Sequence, residues 1–394
     1  MVPQAYFLAL VFGIHIVAVN LGIAISTLVP FLKRRADLTN DEDLSGISKR
    51  IFKIYAATYA LAGVMGTAFT VFLLSFYPEF VGIAGNVTLI PFALAILSIL
   101  IHFLAIVSYY YGWERFGSRT HFMIGVILAL TSYTIPLGFR AVFSFLNTPI
   151  GLHFDGKPYL NFVEALTNPT FLPLYLKSIL GAIAFGSLFL STVAVLNSGK
   201  RSGAENEVYS TGLRIATASL FFQLLLGAWY SLSLLSTPLK FNNVFGSFGW
   251  SIAGAERTSD YSWLFALKVI FVLIQVVILL ELAFRRSFEE PKHADRKLIF
   301  LATFSAALTV LLGEYLNMFS QYPFFLANLP MIAPKIPEPW RTILGRALSL
   351  ENVSPLANDP LLLSLTSVGI AILLLAAGYF IYLVFVKEEE GSPH

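Results

Sequence analysis

The chain has 394 residues, 57% hydrophobic and only 12% charged, where a soluble domain carries roughly 25% charged residues. With a mean hydropathy of +0.74, this leaves the polytopic membrane protein as the class. The absence of cysteine excludes disulfides, thiolate metal sites, iron–sulfur clusters and covalent c-type haem, so a cofactor must be held by His, Met, Glu, Asp or Lys.

A helix needs roughly 20 apolar residues to cross the bilayer core. Nine segments qualify, at about 5–32, 51–77, 88–112, 121–146, 174–197, 209–235, 261–284, 298–319 and 360–386. They predict an all-α bundle forming a single transmembrane domain over residues 1–394. The N-terminal "MVPQAYFLAL" lacks a basic n-region and a small-residue cleavage site. It reads as the start of span one rather than a removed signal.

Span one places His15 at mid-depth inside "FGIHIVAVNLGIAI", and span three places His102 in "ILSILIHFLAIVSYY". Both spans run the same way, so the imidazoles lie within about 10 Å of one depth at a rise of 1.5 Å per residue. One haem or metal between neighbouring spans is one reading; two buried neutral histidines, each with a hydrogen-bond partner, is the other. His121, His153, His293 and His394 fall in loops or at boundaries and read as solvated. In span four, Pro136 is the clearest candidate kink. Arg140, near the end of span four, and Arg214, in span six, read as snorkelling.

Lys177 in span five and Lys268 in span seven lie a turn or two inside one boundary. Glu314 in span eight sits at similar depth. An unpaired charge there costs several kcal/mol, so these three are expected to form an ion-paired cluster facing the bundle interior. Separate snorkelling of the two lysines is the alternative.

The connections after odd-numbered spans, with the tail, hold 16 Lys and Arg; the others hold 6. The positive-inside rule therefore predicts an outside N-terminus and a cytoplasmic C-terminus. The basic residues sit in short loops between spans, so the net charge of +3 implies no nucleic-acid partner. Short loops fit a prokaryotic plasma membrane. No phosphate-binding loop, hydrolase triad, HExxH zinc site or paired catalytic carboxylates are present in the sequence.

The stretch "YYYGWERFGSRTH" contains Gly112, Trp113, Glu114, Arg115, Phe116, Gly117 and His121. It resembles the Gly-Trp-acid-Arg block of subunit I of cytochrome bd-type quinol oxidases. "NTPIG" and "NFVEALTNP", leading into span five, resemble two further segments of that family. The resemblance covers residues 1–200 and is weak beyond. It implies nine spans, an outside N-terminus, haem b, quinol as substrate, and a second bd-type membrane subunit as partner in a heterodimer. It places His15 on the family's haem-ligating histidine of span one.

The same resemblance exposes departures. Lys177 stands where the family has a histidine ligand of its low-spin haem. Lys268 stands where it has an arginine, and Ile270 where it has the methionine ligand. The family's two span-three glutamates fall on His102 and Leu94, and its span-eight glutamate falls near Met318, one turn from Glu314. The loop that binds quinol in the family is short here, about 236–260. The expectation is a divergent subunit of a quinol-to-oxygen electron-transfer complex that has lost most haem ligands and packs against a catalytic partner. Two alternatives stay open: a redox-active b-type cytochrome keeping one haem on His15, with or without His102, and a haem-free quinone-interacting anchor or transporter.

Overall fold

The computed structural model describes residues 3–196, 203–285, 287–288 and 295–385. His293, His394 and the charged tail after residue 385 lie outside the described residues. In chain order the long helices are α1 (Pro3–Thr39), α2 (Glu42–Phe76), α4 (Leu89–Tyr111), α5 (Ser118–Asn147), α7 (Phe171–Leu196), α8 (Gly203–Ser233), α10 (Ser262–Phe284), α11 (Asp295–Phe319) and α14 (Pro360–Phe385). Between them lie short elements: α3 (Pro78–Val87), strands β1 (Leu152–Asp155) and β2 (Lys157–Leu160), α6 (Phe162–Ala165), α9 (Pro238–Phe245), α12 (Leu329–Ile332) and α13 (Trp340–Ala347).

Eight helices among the described residues are long and apolar enough to cross a membrane. The ninth expected span is α14, whose last expected residue, 386, is outside the described set. Long helices are the forced solution, because hydrocarbon offers no partner to a free backbone N–H or C=O. Pro136 lies within α5, which continues through it as one helix.

Helices consecutive along the chain pack as antiparallel pairs: α1 on α2, α4 on α5, α7 on α8, α10 on α11. Helices α1 and α7 form the centre; α1 also touches α5, α7 and α11, and α7 also touches α5 and α11. Small residues allow these close approaches. A Cβ at Gly186 of α7 would lie 2.2 Å from the Ala24 Cβ of α1. At Gly212 of α8 it would lie 2.3 Å from Ser191 Oγ of α7, whose hydroxyl donates to the Tyr209 carbonyl at 3.0 Å.

The short elements gather at one end of the bundle, here termed the cap end. The hairpin pairs Leu152 with Leu160 and Asp155 with Lys157, turning at Gly156, whose φ of +70° favours glycine. Buried amides tie the cap to the helix ends. Asn168 Nδ2 donates to the Thr148 carbonyl (2.6 Å), Asn328 Nδ2 to the Ser236 carbonyl (2.7 Å), and Asn243 Nδ2 to the Ser320 carbonyl (3.0 Å). Phe325 stacks on Phe80 with centroids 3.8 Å apart.

At the opposite end, Asp41 caps α2 by accepting from the Leu44 amide at 2.9 Å. Gly112 closes α4; a Cβ there would lie 2.2 Å from the Phe116 ring. Trp113 is buried and sits edge-on to Tyr109, Lys33 lies over the Trp113 ring at 5.4 Å, and the exposed Glu114 pairs with Lys49 at 2.5 Å. The Gly-Trp-Glu-Arg block therefore builds the turn between α4 and α5. His121, expected to be solvated, is buried instead. Its Nε2–H donates to the Tyr109 carbonyl at 2.9 Å and its ring stacks on Tyr109 at 3.9 Å. His153, expected to be solvated, is half-buried in the hairpin, where its Nε2 lies 2.8 Å from Glu164 Oε2.

Candidate functional site

His15 is half-buried in α1 and faces α2. Its Nδ1 lies 2.8 Å from the Ala62 carbonyl oxygen. A carbonyl only accepts, so Nδ1 carries the hydrogen, and in the neutral ring Nε2 presents its lone pair. This is how ligand histidines are commonly oriented, with the second nitrogen donating to a backbone carbonyl. One turn along α2, Gly66 leaves the ring its room: a Cβ there would lie 2.8 Å from the His15 Cε1. Phe12 and Phe69, 4.9 Å apart, supply apolar surroundings. The donor type, the tautomer and the cradle fit a haem iron ligand.

His102 is arranged differently. It is 2% exposed, and both ring nitrogens have hydroxyl partners. Nε2 meets the Tyr55 hydroxyl, and Nδ1 lies 2.7 Å from Thr131 Oγ1. Thr131 Oγ1 also lies 2.8 Å from the Ile127 carbonyl, to which it can only donate. The proton order follows: Tyr55 donates to Nε2, Nδ1–H donates to Thr131, and Thr131 donates to the backbone. That leaves His102 no nitrogen lone pair for a metal. Both histidines address α2, but at Ala62 and at Tyr55, about two turns apart.

The charged residues meet at the cap end of the bundle, between α5, α7, α10 and α11. Arg140, expected to snorkel, is 5% exposed and grips Glu314 with two bonds, Nη2–Oε1 at 2.5 Å and Nη1–Oε2 at 3.2 Å. It points inward because a planar guanidinium matches the carboxylate fork, which a lysine does not. Glu314 thus has Arg140 as its direct partner, while Lys177 and Lys268 reach it only through space. Lys177 Nζ lies over the Tyr230 ring of α8, 4.7 Å from its centroid. Lys268 lies against Gly313, where a Cβ would stand 3.3 Å from its Nζ.

A further cation enters from the cap. Lys240 of α9 is 2% exposed, and its ammonium donates to Asn147 Oδ1 (2.7 Å), the Asn317 carbonyl (2.9 Å) and Asn317 Oδ1 (2.6 Å). Burial pushes Lys240 down to about 7, against the pull of the Glu314 charge. Tyr230 donates to Asn317 Oδ1 at 3.0 Å, joining the lysines into one polar patch. An apolar shell of Leu174, Leu264, Leu312 and Leu316 packs around it.

Sequence reasoning missed Arg140 and Lys240. Arg140 carried a usable signal: it lies seven residues before the end of α5, and Glu314 five before the end of α11, so the two share a depth. Lys240 carried none, since its loop folds back into the bundle. Among the described residues no group of three or more His, Cys, Asp or Glu is placed to hold a bare metal ion.

A family model described as cytochrome bd terminal oxidase subunit I matches residues 6–248. No curated protein matches the chain. Among solved structures, the bd oxidase from Geobacillus thermodenitrificans matches with a TM-score of 0.78 at 15% identity, covering 99% of this chain and 98% of that one. At that identity the likeness bears on the fold alone.

Proposed function

Because the chain belongs to the cytochrome bd terminal oxidase subunit I family and is a multi-span membrane protein, we propose that it is a divergent subunit of a bd-type quinol oxidase. In this reading it has lost most haem ligands and packs against a catalytic, second bd-type subunit. It lies in a prokaryotic plasma membrane with its N-terminus outside. The partner oxidises quinol and passes the electrons to oxygen.

One observation carries the reading. Where the family resemblance calls for the two ligands of a low-spin haem, this chain has Lys177 and Ile270. Lys177 is seated on the Tyr230 ring, and Ile270 is half exposed on α10. Neither residue is placed as a partner for that iron, since the Lys177 amine is turned onto the Tyr230 ring and an alkyl chain has no lone pair to give. The residues present do not fit that group.

The geometry of His15 favours a second, compatible reading, in which this chain keeps at most one haem. A b-type haem supplies one-electron transfer when bound. His15 would hold it through Nε2, Ala62 would fix the tautomer, and Gly66 would leave the ring its space. His102 is left out of this ligand set and serves the packing of α2, α4 and α5 through Tyr55 and Thr131.

Affinity purification of the tagged chain from its native membranes tests the assignment. The expected result is a second bd-type subunit in equal amount, with quinol oxidase activity in the complex. A chain that purifies alone and supports no oxidase activity in its host would overturn it.

A further inference from the structure

Lys53 lies about three turns into α2, where the helix leaves the end opposite the cap and enters its apolar stretch. It is exposed, and among the described contacts no carboxylate pairs with it. Lys49, one turn before it, is taken by Glu114 at 2.5 Å. The last turn of α4 brings Tyr110 and Tyr111 to the same place, the first half-buried and the second exposed. An ammonium and two phenols at the rim of an apolar span are hydrogen-bond donors at the level of the lipid headgroups.

The side chains between these three do not fill the space they enclose. Helix α2 contributes Ala56 and Ala57, and α4 contributes Ile106 and Val107; together with Lys53 and the tyrosines they line one cavity of about 320 Å³. Methyl groups on the α2 wall are too short to close it. Ile106, 7% exposed, forms the floor. Lys53, Ala57, Val107 and Tyr111 are all exposed, so the lining itself reaches the outer surface of the bundle. One turn deeper, helical spacing continues the same two faces with Ala60 of α2 and Phe103 of α4, both exposed. A further turn along α2, a Cβ at Gly63 would meet nothing within 4 Å. A cation and hydroxyls at the boundary, with an open apolar groove leading from them into the membrane, match the chemistry of an anionic amphiphile.

We propose that the groove between α2 and α4 binds an anionic phospholipid from the leaflet opposite the cap. Lys53 and the Tyr110 and Tyr111 hydroxyls hold its phosphate, and an acyl chain lies over Ala57, Ala60 and Gly63. The site is independent of how many haems the chain carries. The apolar groove selects a lipid over a free anion, which has no hydrocarbon to bury there. Lys53, with no acid in the lining, selects an acidic headgroup over a zwitterionic one, whose own cation would meet the lysine.

The experiment uses the full chain with its co-purifying partner in nanodiscs of phosphatidylcholine, alone or mixed with phosphatidylglycerol. Amine acylation, read residue by residue by mass spectrometry, reports how far Lys53 is covered, and native mass spectrometry reports retained lipid. Lys53 is expected to react in phosphatidylcholine and to react about fivefold more slowly once phosphatidylglycerol is present, with Lys157 of the cap hairpin unchanged. Lys53→Gln is expected to lower phosphatidylglycerol retention about fivefold, and Lys53→Arg to preserve it. Ala57→Phe fills the groove from an exposed position and is expected to lower retention at least as much. Arg119→Gln, exposed at the same end but outside the groove, is expected to leave retention unchanged. Neither Lys53 nor Ala57 is buried, so these variants are expected to unfold at the wild-type temperature in phosphatidylcholine. Equal retention by wild type and Lys53→Gln, or an equal loss in Arg119→Gln, would overturn the proposal. So would inorganic phosphate protecting Lys53 in phosphatidylcholine discs as fully as phosphatidylglycerol does. A Lys53 shielded in both lipid mixtures would place the partner subunit in the groove and overturn it as well.

Discussion

Glu314→Gln is expected to destabilise the protein by about 3–5 kcal/mol, the cost of stranding a buried ion-pair partner. The substitution keeps the shape of the side chain and removes its charge. Arg140, at 5% exposure and pointing inward, then has no counterion for its guanidinium. The through-space attraction that Glu314 exerts on Lys177 and Lys268 is lost at the same time. The cost therefore exceeds that of a lone surface pair, which is about 0–1 kcal/mol. Thermal unfolding of the purified protein checks it. Replacing both partners together, Arg140→Met with Glu314→Leu, is expected to cost less than Glu314→Gln alone, because no stranded charge remains. An unchanged midpoint in Glu314→Gln would mean that the pair is solvated rather than buried.

Lys240→Met is expected to cost about 3 kcal/mol at neutral pH, since it strips the donor from three buried acceptors on Asn147 and Asn317. It also carries a pH dependence whose sign is fixed. The ordinary value for the lysine is 10.5, and in the folded protein burial pushes it down to about 7. Between those two values the unfolded chain binds more protons than the folded one. Stability is therefore expected to rise as pH increases from about 7 toward about 10.5 and to change little from this group below that window. Unfolding measured across that range in wild type and Lys240→Met checks the point. The contribution of Lys240 is the difference between the two slopes, and equal slopes would remove Lys240 as its source.

Much of the fold could be read from hydropathy, because the bilayer imposes one length and one backbone solution on each span. The helix over Leu89–Tyr111 lies within a residue of its expected bounds. Others, such as Pro3–Thr39, run several residues past the apolar stretch, since helix continues into water once nucleated. Hydropathy says nothing of the cap, whose segments lie between the apolar spans. Its fold is set by amide-to-carbonyl bonds between residues far apart in sequence, such as Asn328 to Ser236 and Asn243 to Ser320.

The site was legible in its residue types and less so in its partners. Depth brought Lys177, Lys268 and Glu314 together, but depth alone does not choose which cation takes the carboxylate. Arg140 takes it by fork geometry, and Lys240 arrives from a loop that hydropathy places outside the bundle. For the histidines, depth put His15 and His102 on a par. What separates them is hydrogen bonding: a carbonyl leaves His15 a lone pair, while two hydroxyls use both nitrogens of His102. No periodicity carries that difference.

The most direct test of a haem-poor subunit is the number of haems per chain, taken from a pyridine haemochrome assay on the complex and on the isolated chain, wild type and His15→Ala. The expected result is no more than one b-type haem in this chain, and none in His15→Ala, with the partner's haems unaffected. Two or more haems bound to this chain, or a haem that survives His15→Ala, would contradict it.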